Sequence, residues 1–360
     1  MNTNKIFEFN HVIIDGEGPE DPHIKAVGDI NGNGLTDVIT ASSKGGPLVW
    51  YEAPNWVKHE IALSGKWSCD AMLVDMDGDG DYDILISEWF THHRLEWYEN
   101  PFPDGDPAVD PWKCHIIGSP AAHDIEACDI DGDGNLEIVT RKQFDEGNKI
   151  FIWKRFSKKW NQQTFGCPAG EGLAVADINQ DGILDVVIGG RWYEGPKNIL
   201  NGIWKEHTFS EWPNDAVVRV ADMNKNGRLD IILARSEGPH HRLSWFEAPS
   251  DPVNGGWTEH IIENSIDYAH SMRVCDINND GNLDIVVAEM HRSGEMPQPS
   301  RKRVMIYHNE GEAINWSKQV LATSGSHGIC VGDTNGNGKL DIIGANWGDS
   351  YQPIEMWESL

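Results

Sequence analysis

The chain has 360 residues, 39% of them hydrophobic and 24% charged: enough for a core, with no apolar run long enough to span a membrane as a helix. Its formal net charge is −28, which argues against nucleic acid or an anionic lipid surface as partner. The six cysteines form no CxxC pair and read as small buried hydrophobes rather than disulfide or metal ligands.

In chain order, the first element is FEFNHVII (7–14), a strand that belongs to no unit of its own. A unit then begins that recurs to the end of the chain. Its first copy runs from an apolar stretch ending at Gly28, through DINGNGLTD (29–37), to a second apolar run, DVIT. An aromatic run, LVWYEAP (48–54), and a tryptophan-led run, WVKHEIAL (56–63), complete it. Short runs rich in Val, Ile and aromatics, bounded by Gly and Asp, predict strands, four per unit. No segment carries a sustained helical pattern.

The acidic loop of the unit reads Asp-x-Asp/Asn-x-Asp/Asn-Gly-x-x-Asp/Glu, with oxygens on alternate residues and a glycine at the sharp turn. That pattern suits a hard divalent cation, calcium first. The ligand positions are Asp29, Asn31, Asn33 and Asp37; Asp75, Asp77, Asp79 and Asp83; Asp129, Asp131, Asp133 and Glu137; Asp177, Asn179, Asp181 and Asp185. They continue as Asp222, Asn224, Asn226 and Asp230; Asp276, Asn278, Asp280 and Asp284; and Asp333, Asn335, Asn337 and Asp341. Carboxylate count predicts the tightest sites at Asp75 and Asp129 and the weakest at Asp29, Asp222 and Asp333. Magnesium is the alternative where carboxylates are few.

The loops start 45 to 57 residues apart, a period that signals stacked units. The last unit stops after its third strand, and 7–14 supplies the missing fourth, so the ring closes on itself. An open solenoid would need capping repeats. The expected fold is all-β: one seven-bladed propeller of four-stranded blades over residues 1–360. Most of the 16 tryptophans fall at repeating strand positions, where blade packing is the expected role rather than ligand stacking.

In that fold the acidic loops share one face, as structural pins, and the chemistry belongs to the other. Six residues before each loop stand His23, Cys69, His123, Glu171, Ala216, His270 and His327. Four histidines and a glutamate at one repeat position should meet around one axis. Imidazoles with a carboxylate suit zinc, iron, manganese or nickel, so a further divalent metal is expected at the channel mouth. Glu126, Arg219 and Arg273, three residues before their loops, are expected to line a wet channel, with a Glu–Arg ion pair as the structural reading. Connections on the same face add Glu88, Trp89, Arg141, Arg191, Glu237, Glu289, His291, Arg292, Trp347 and Tyr351.

Loops and spacing together resemble FG-GAP or VCBS repeats, the calcium-loop propeller repeats also present in integrin α heads. A narrower resemblance, carried by HDIEACDIDGDGNLEIVTR (123–141), GEGLAVADINQDG (170–182), GSHGICVGD (325–333) and GANW (344–347), is to proteins related to the propeller of aldos-2-ulose dehydratases. It implies a metal-dependent carbon–oxygen lyase acting on a keto-sugar or related small saccharide. His123, Glu171, His270 and His327, with His23, Glu289 and His291, are then metal or base candidates, and Arg141 and Arg191 hold substrate oxygens. The alternative is a calcium-stabilised, non-catalytic module that binds a glycan or protein. The start, MNTNKIFEF, lacks a secretory apolar stretch and points to the cytoplasm unless a signal was removed. Weak calcium loops point outside it, and the sequence does not choose.

Overall fold

A computed structural model describes residues 7–89, 91–142, 148–290, 302–346 and 353–360. Among them, twenty-eight strands form seven antiparallel four-stranded sheets, and there is no helix. Six sheets take their strands in sequence order. The seventh is built from Gly328–Gly332, Asp341–Ala345, Ile354–Ser359 and, at its outer edge, Phe9–Asp15. Phe9 pairs with Ser359 and Val12 with Met356, so the N-terminal strand closes the last blade as expected.

The innermost strands are Pro22–Gly28, Trp67–Val74, Asp124–Cys128, Ala174–Ala176, Ala216–Ala221, Ser271–Cys275 and Gly328–Gly332. Each lies against its two neighbours, and the last lies against the first, which completes the toroid. The blades stick together through apolar faces. Val38, Val49 and Tyr51 of blade one pack on Ile343, Ile354 and Met356 of blade seven, all buried. Burying side chains of this size contributes about 1.5–3 kcal/mol each.

Side chains at one repeat position also tie blade to blade. Asp70 accepts from the Ile125 amide (3.0 Å), Asp124 from Gly172 (3.1 Å) and Ser271 Oγ from Ile329 (3.0 Å), each reaching the next blade.

The tryptophans pack as blade residues. Trp50, Trp97, Trp192 and Trp245 are buried, each stacked on a histidine of the fourth strand: His59, His115, His207 and His260. Each histidine in turn contacts a glutamate two strand positions from the stack: Glu52, Glu99, Glu194 and Glu247. Of the cysteines, Cys330 is buried and Cys128, Cys167 and Cys275 partly so, but Cys114 is exposed, contrary to expectation.

The acidic loops are hydrogen-bonded turns. In the first, Asp29 accepts from the Asn33 (3.0 Å) and Gly34 (2.7 Å) amides. Asp37 is buried and accepts from Ile30 (2.9 Å) and from Ala53 (2.8 Å), pinning the turn to the third strand. Asp83, Asp185, Asp230, Asp284 and Asp341 repeat that double bond.

Candidate functional site

The tunnel through the propeller holds a cavity of about 230 Å³ lined by His23, His123, Glu171, His270 and His327 at its mouth and Glu126, Arg219 and Arg273 deeper in. Its size suits a small polar molecule rather than a polymer. Five residues at one repeat position thus meet, because each innermost strand begins at the same height on the toroid.

The tightest group is His123, Glu171 and His270, whose ligand atoms lie within 4.8 Å of one another. Glu171 Oε2 is 3.5 Å from His123 Nε2, and Oε1 is 3.5 Å from His270 Nε2. Gly172 sets this geometry: its φ is +93°, and a Cβ there would fall 1.6 Å from the Ala216 carbonyl of the next blade. Only glycine lets the chain pass so close and drop the preceding glutamate between two blades.

The far ring nitrogens are also placed. His270 Nδ1 is 3.3 Å from the His327 carbonyl, and a carbonyl only accepts, so Nδ1 carries the proton and Nε2 presents its lone pair to Glu171. His123 Nδ1 faces Asp124 Oδ1 at 3.3 Å. This carboxylate–histidine arrangement is the one that orients imidazoles toward a metal. Burial holds His270 below the ordinary imidazole range, partly offset by Glu171. Nε2 and the Glu171 carboxylate, 3.5 Å apart, are matched either by a second proton on the ring or by a cation between them. Nitrogen and oxygen donors at about 2.0–2.2 Å from a shared ion fit that gap.

The His327 ring lies tilted against His270 with centroids 4.0 Å apart, and His23 lies tilted against His327 at 4.4 Å. Burial pushes both well below the usual imidazole range, so they are neutral bases. Trp89 sets its edge against the His123 ring, and Glu237 Oε1 is 3.9 Å from His270 Nε2.

Three expected site residues do other work. Arg141 is fully buried and donates to the carbonyls of Gly172 (2.7 Å), Pro168 (3.2 Å) and Asn214 (3.4 Å), bracing the backbone behind Glu171 instead of gripping substrate. Arg191 reaches across its sheet to Glu206 (2.9 Å) because its strand turns it outward. Glu289 is buried, held by Arg303 Nε (2.8 Å) and the Asp267 amide (3.0 Å). Deeper in, Glu126 makes no ion pair with Arg219 or Arg273 among the described residues; the tunnel keeps the groups apart. His291, Arg292, Trp347 and Tyr351 lie outside the described residues.

Sequence reasoning passed over Asp124, Asp70 and Lys25, all on the cavity wall. The signal for the aspartates was there: both sit five residues before their loops, where the other units carry Ile, Gly, Val or Ser.

The loops also hold a surprise. Asp75, Asp77 and Asp83 bring oxygens within 4.8 Å of one another, as do Asp129, Asp131 and Glu137. In the latter, however, Lys154 Nζ sits among the carboxylates, 2.7 Å from Asp131, 2.7 Å from Asp133 and 3.0 Å from Glu137. The charge count that ranked this loop with the tightest therefore omitted a built-in cation.

Fold and site together define a seven-bladed propeller with acidic turns on one face and a polar tunnel mouth on the other. The chain belongs to the FG-GAP-like repeat family, whose model matches residues 29–86, 75–140, 129–188 and 222–287, more than half of its length. No curated protein matches it. Among solved structures it is similar to BBS1N in complex with ARL6DN, soaked with lead, with TM-score 0.56 and 12% identity over 98% of this chain and 97% of that one. It is also similar to a luciferin-regenerating enzyme (TM-score 0.48, 9% identity, 98% and 96% covered). A third is the Aleuria aurantia lectin AAL in complex with Fucalpha1-6GlcNAc (0.45, 15%, 84% and 96%). At these identities the likeness is one of fold.

Proposed function

We propose that the protein is a metal-dependent carbohydrate lyase that dehydrates a keto-sugar or related small saccharide at the tunnel mouth, on a propeller pinned by calcium in its acidic turns. The observation that carries this reading is the convergence of His123, Glu171 and His270, whose donor atoms lie within 4.8 Å of one another. His123, Glu171 and His270 would hold a divalent transition metal, the class that takes mixed imidazole and carboxylate donors. Such an ion, when bound, supplies Lewis acidity toward a sugar carbonyl and so acidifies the neighbouring C–H.

The chain's own residues would do the rest. His327, neutral and tilted against the His270 ring, is the base that takes the carbon-bound proton. Glu237, 3.9 Å from His270 Nε2, is the carboxyl that would assist departure of the β-hydroxyl. Trp89 offers an apolar edge to the sugar. Metal analysis of purified protein, followed by ultraviolet absorbance during incubation with keto-sugars, tests the reading. A transition metal at about one per chain and a growing enone band are expected. Calcium alone, with no absorbance change, would reject it.

A calcium-stabilised glycan- or protein-binding propeller is the second reading. It is favoured by the structural employment of Arg141, Arg191 and Glu289, which leaves fewer charged groups to handle a reacting sugar.

A further inference from the structure

The deeper half of the tunnel has a chemistry of its own. Arg219 and Arg273 occupy the same repeat position on adjacent blades, three residues before Asp222 and Asp276, and both line the cavity. At about 3.3 Å per residue they lie roughly 10 Å below the level of the histidines. Their hydrogen bonds are meagre. Arg219 Nη1 donates to its own neighbour's carbonyl, Val218 (2.6 Å); Arg273 donates to Met272 (3.0 Å) and to Cys330 Sγ (3.2 Å). Among the described residues neither forms an ion pair with a carboxylate. Ten N–H donors in two planar forks thus face an enclosed space with most of their capacity unspent.

Four carboxyl groups, Asp70, Asp124, Glu126 and Glu171, line the same cavity. Burial, together with the Asp70 charge, pushes Glu126 up to about 7, and burial raises Asp70 as well. Burial and the neighbouring Arg273 press Arg219 down to about 10, whereas, against its own burial, Arg273 is held up by Cys330, Asp70 and Glu126. Lys25 adds a third cation to the same wall. A carboxylate is the partner whose geometry answers a guanidinium fork.

We propose that Arg219 and Arg273 form a carboxylate receptor, and that the ligand of this tunnel is a sugar acid, its carbonyl end at the histidine mouth and its acid end at the arginines. The assignment rests on the mouth being the reacting site. An extended six-carbon chain, one metal–oxygen bond of about 2 Å and one charge-assisted hydrogen bond of about 2.8 Å together span the depth between the two groups. Neutral ketoses would fill the same space but leave both guanidiniums unanswered.

Isothermal titration of the full chain, with D-fructuronate (ketone at C2, carboxylate at C6) and D-fructose as probes, tests the receptor, while titration with zinc alone tests the mouth. The acid is expected to bind at least tenfold more tightly than the ketose, with an affinity that falls as sodium chloride rises. Arg219→Met and Arg273→Met should each erase the preference, lowering the affinity for the acid to about that for fructose. Should either fail to fold by circular dichroism, Arg219→Lys and Arg273→Lys, which keep the charge but lose the fork, should retain only part of it. Equal affinity for acid and ketose, no measurable binding of the acid, or a preference that survives both substitutions overturns the proposal. Zinc binding without acid preference overturns the receptor alone. Acid preference in a protein that does not bind zinc overturns the metal reading and leaves the receptor standing.

Discussion

Lys154 Nζ lies 2.7 Å from Asp131 Oδ2, inside the third acidic turn, where a calcium ion is expected in the others. The register explains how it gets there. Lys154 pairs opposite Glu137, and the matching place one residue past Tyr51, Tyr98, Tyr193, Phe246 and Trp357 is a glutamate in five blades. Those glutamates face their loops too: Glu52 accepts from Asn31 (2.9 Å) and Glu358 from Asn335 (2.9 Å). The third blade reverses the sign, and its turn carries its own cation.

The third turn should therefore be indifferent to calcium. Lys154→Gln is expected to cost about 1–3 kcal/mol in calcium-free buffer, because the buried Glu137 and the more exposed Asp131 and Asp133 lose their partner, and to recover in millimolar calcium. Native mass spectrometry should count one more calcium in the variant than in the parent. An equal count with no calcium-dependent recovery would show that the lysine does not stand in for the ion.

Asp124 should control metal affinity without touching the metal. It holds His123 through Nδ1 at 3.3 Å, and hydrogen-bonded partners of this kind are worth about 10–100-fold in affinity. Asp124→Asn should weaken zinc binding by that range. Arg141→Met, by contrast, should lower the melting temperature first, since Arg141 braces three backbone carbonyls. If Asp124→Asn binds zinc like the parent, the carboxylate serves only to tie blade three to blade four.

Stability should depend on pH in an unusual direction when calcium is removed. Burial raises Asp37, Asp83 and Asp185 to about 7, and burial with neighbouring aspartates does the same to Asp81. Unfolded aspartates titrate near 3.9, so between about pH 4 and 7 the cation-free folded state binds more protons than the unfolded one. Stability is then lost as pH rises through that window. Melting temperature in EGTA should fall between pH 5 and 8, and calcium should flatten most of the slope. Glu126, outside the turns, leaves a remainder. A flat profile in EGTA would contradict this.

Closure should be separable from composition. Removing residues 1–15 bares the edge of Ile354–Ser359 and uncovers the packing of Val12 and Ile14. A loss of about 3–5 kcal/mol and self-association are expected. The Leu360 amide donates to Glu8 (3.0 Å), so the termini are neighbours. A permuted chain that begins at residue 16 and carries 7–15 after Leu360 through a short linker should restore the parent melting curve. A truncated chain that melts like the parent would mean that the closing strand is dispensable.

What the sequence determined by itself was everything that repeats. Seven acidic turns at a steady period, the short apolar runs around them and the displaced fourth strand were enough for the propeller, its closure and the meeting of His23, His123, Glu171, His270 and His327, because a toroid brings one repeat position to one height. What only the tertiary structure decided were the relations across strands and blades: Lys154 within the Glu137 turn, Asp124 bonded to the Gly172 amide of the next blade, and Arg141 facing backbone rather than ligand. Those depend on register and on the angle between neighbouring blades, which place residues tens of positions apart within about 3 Å and leave no period in the chain to read.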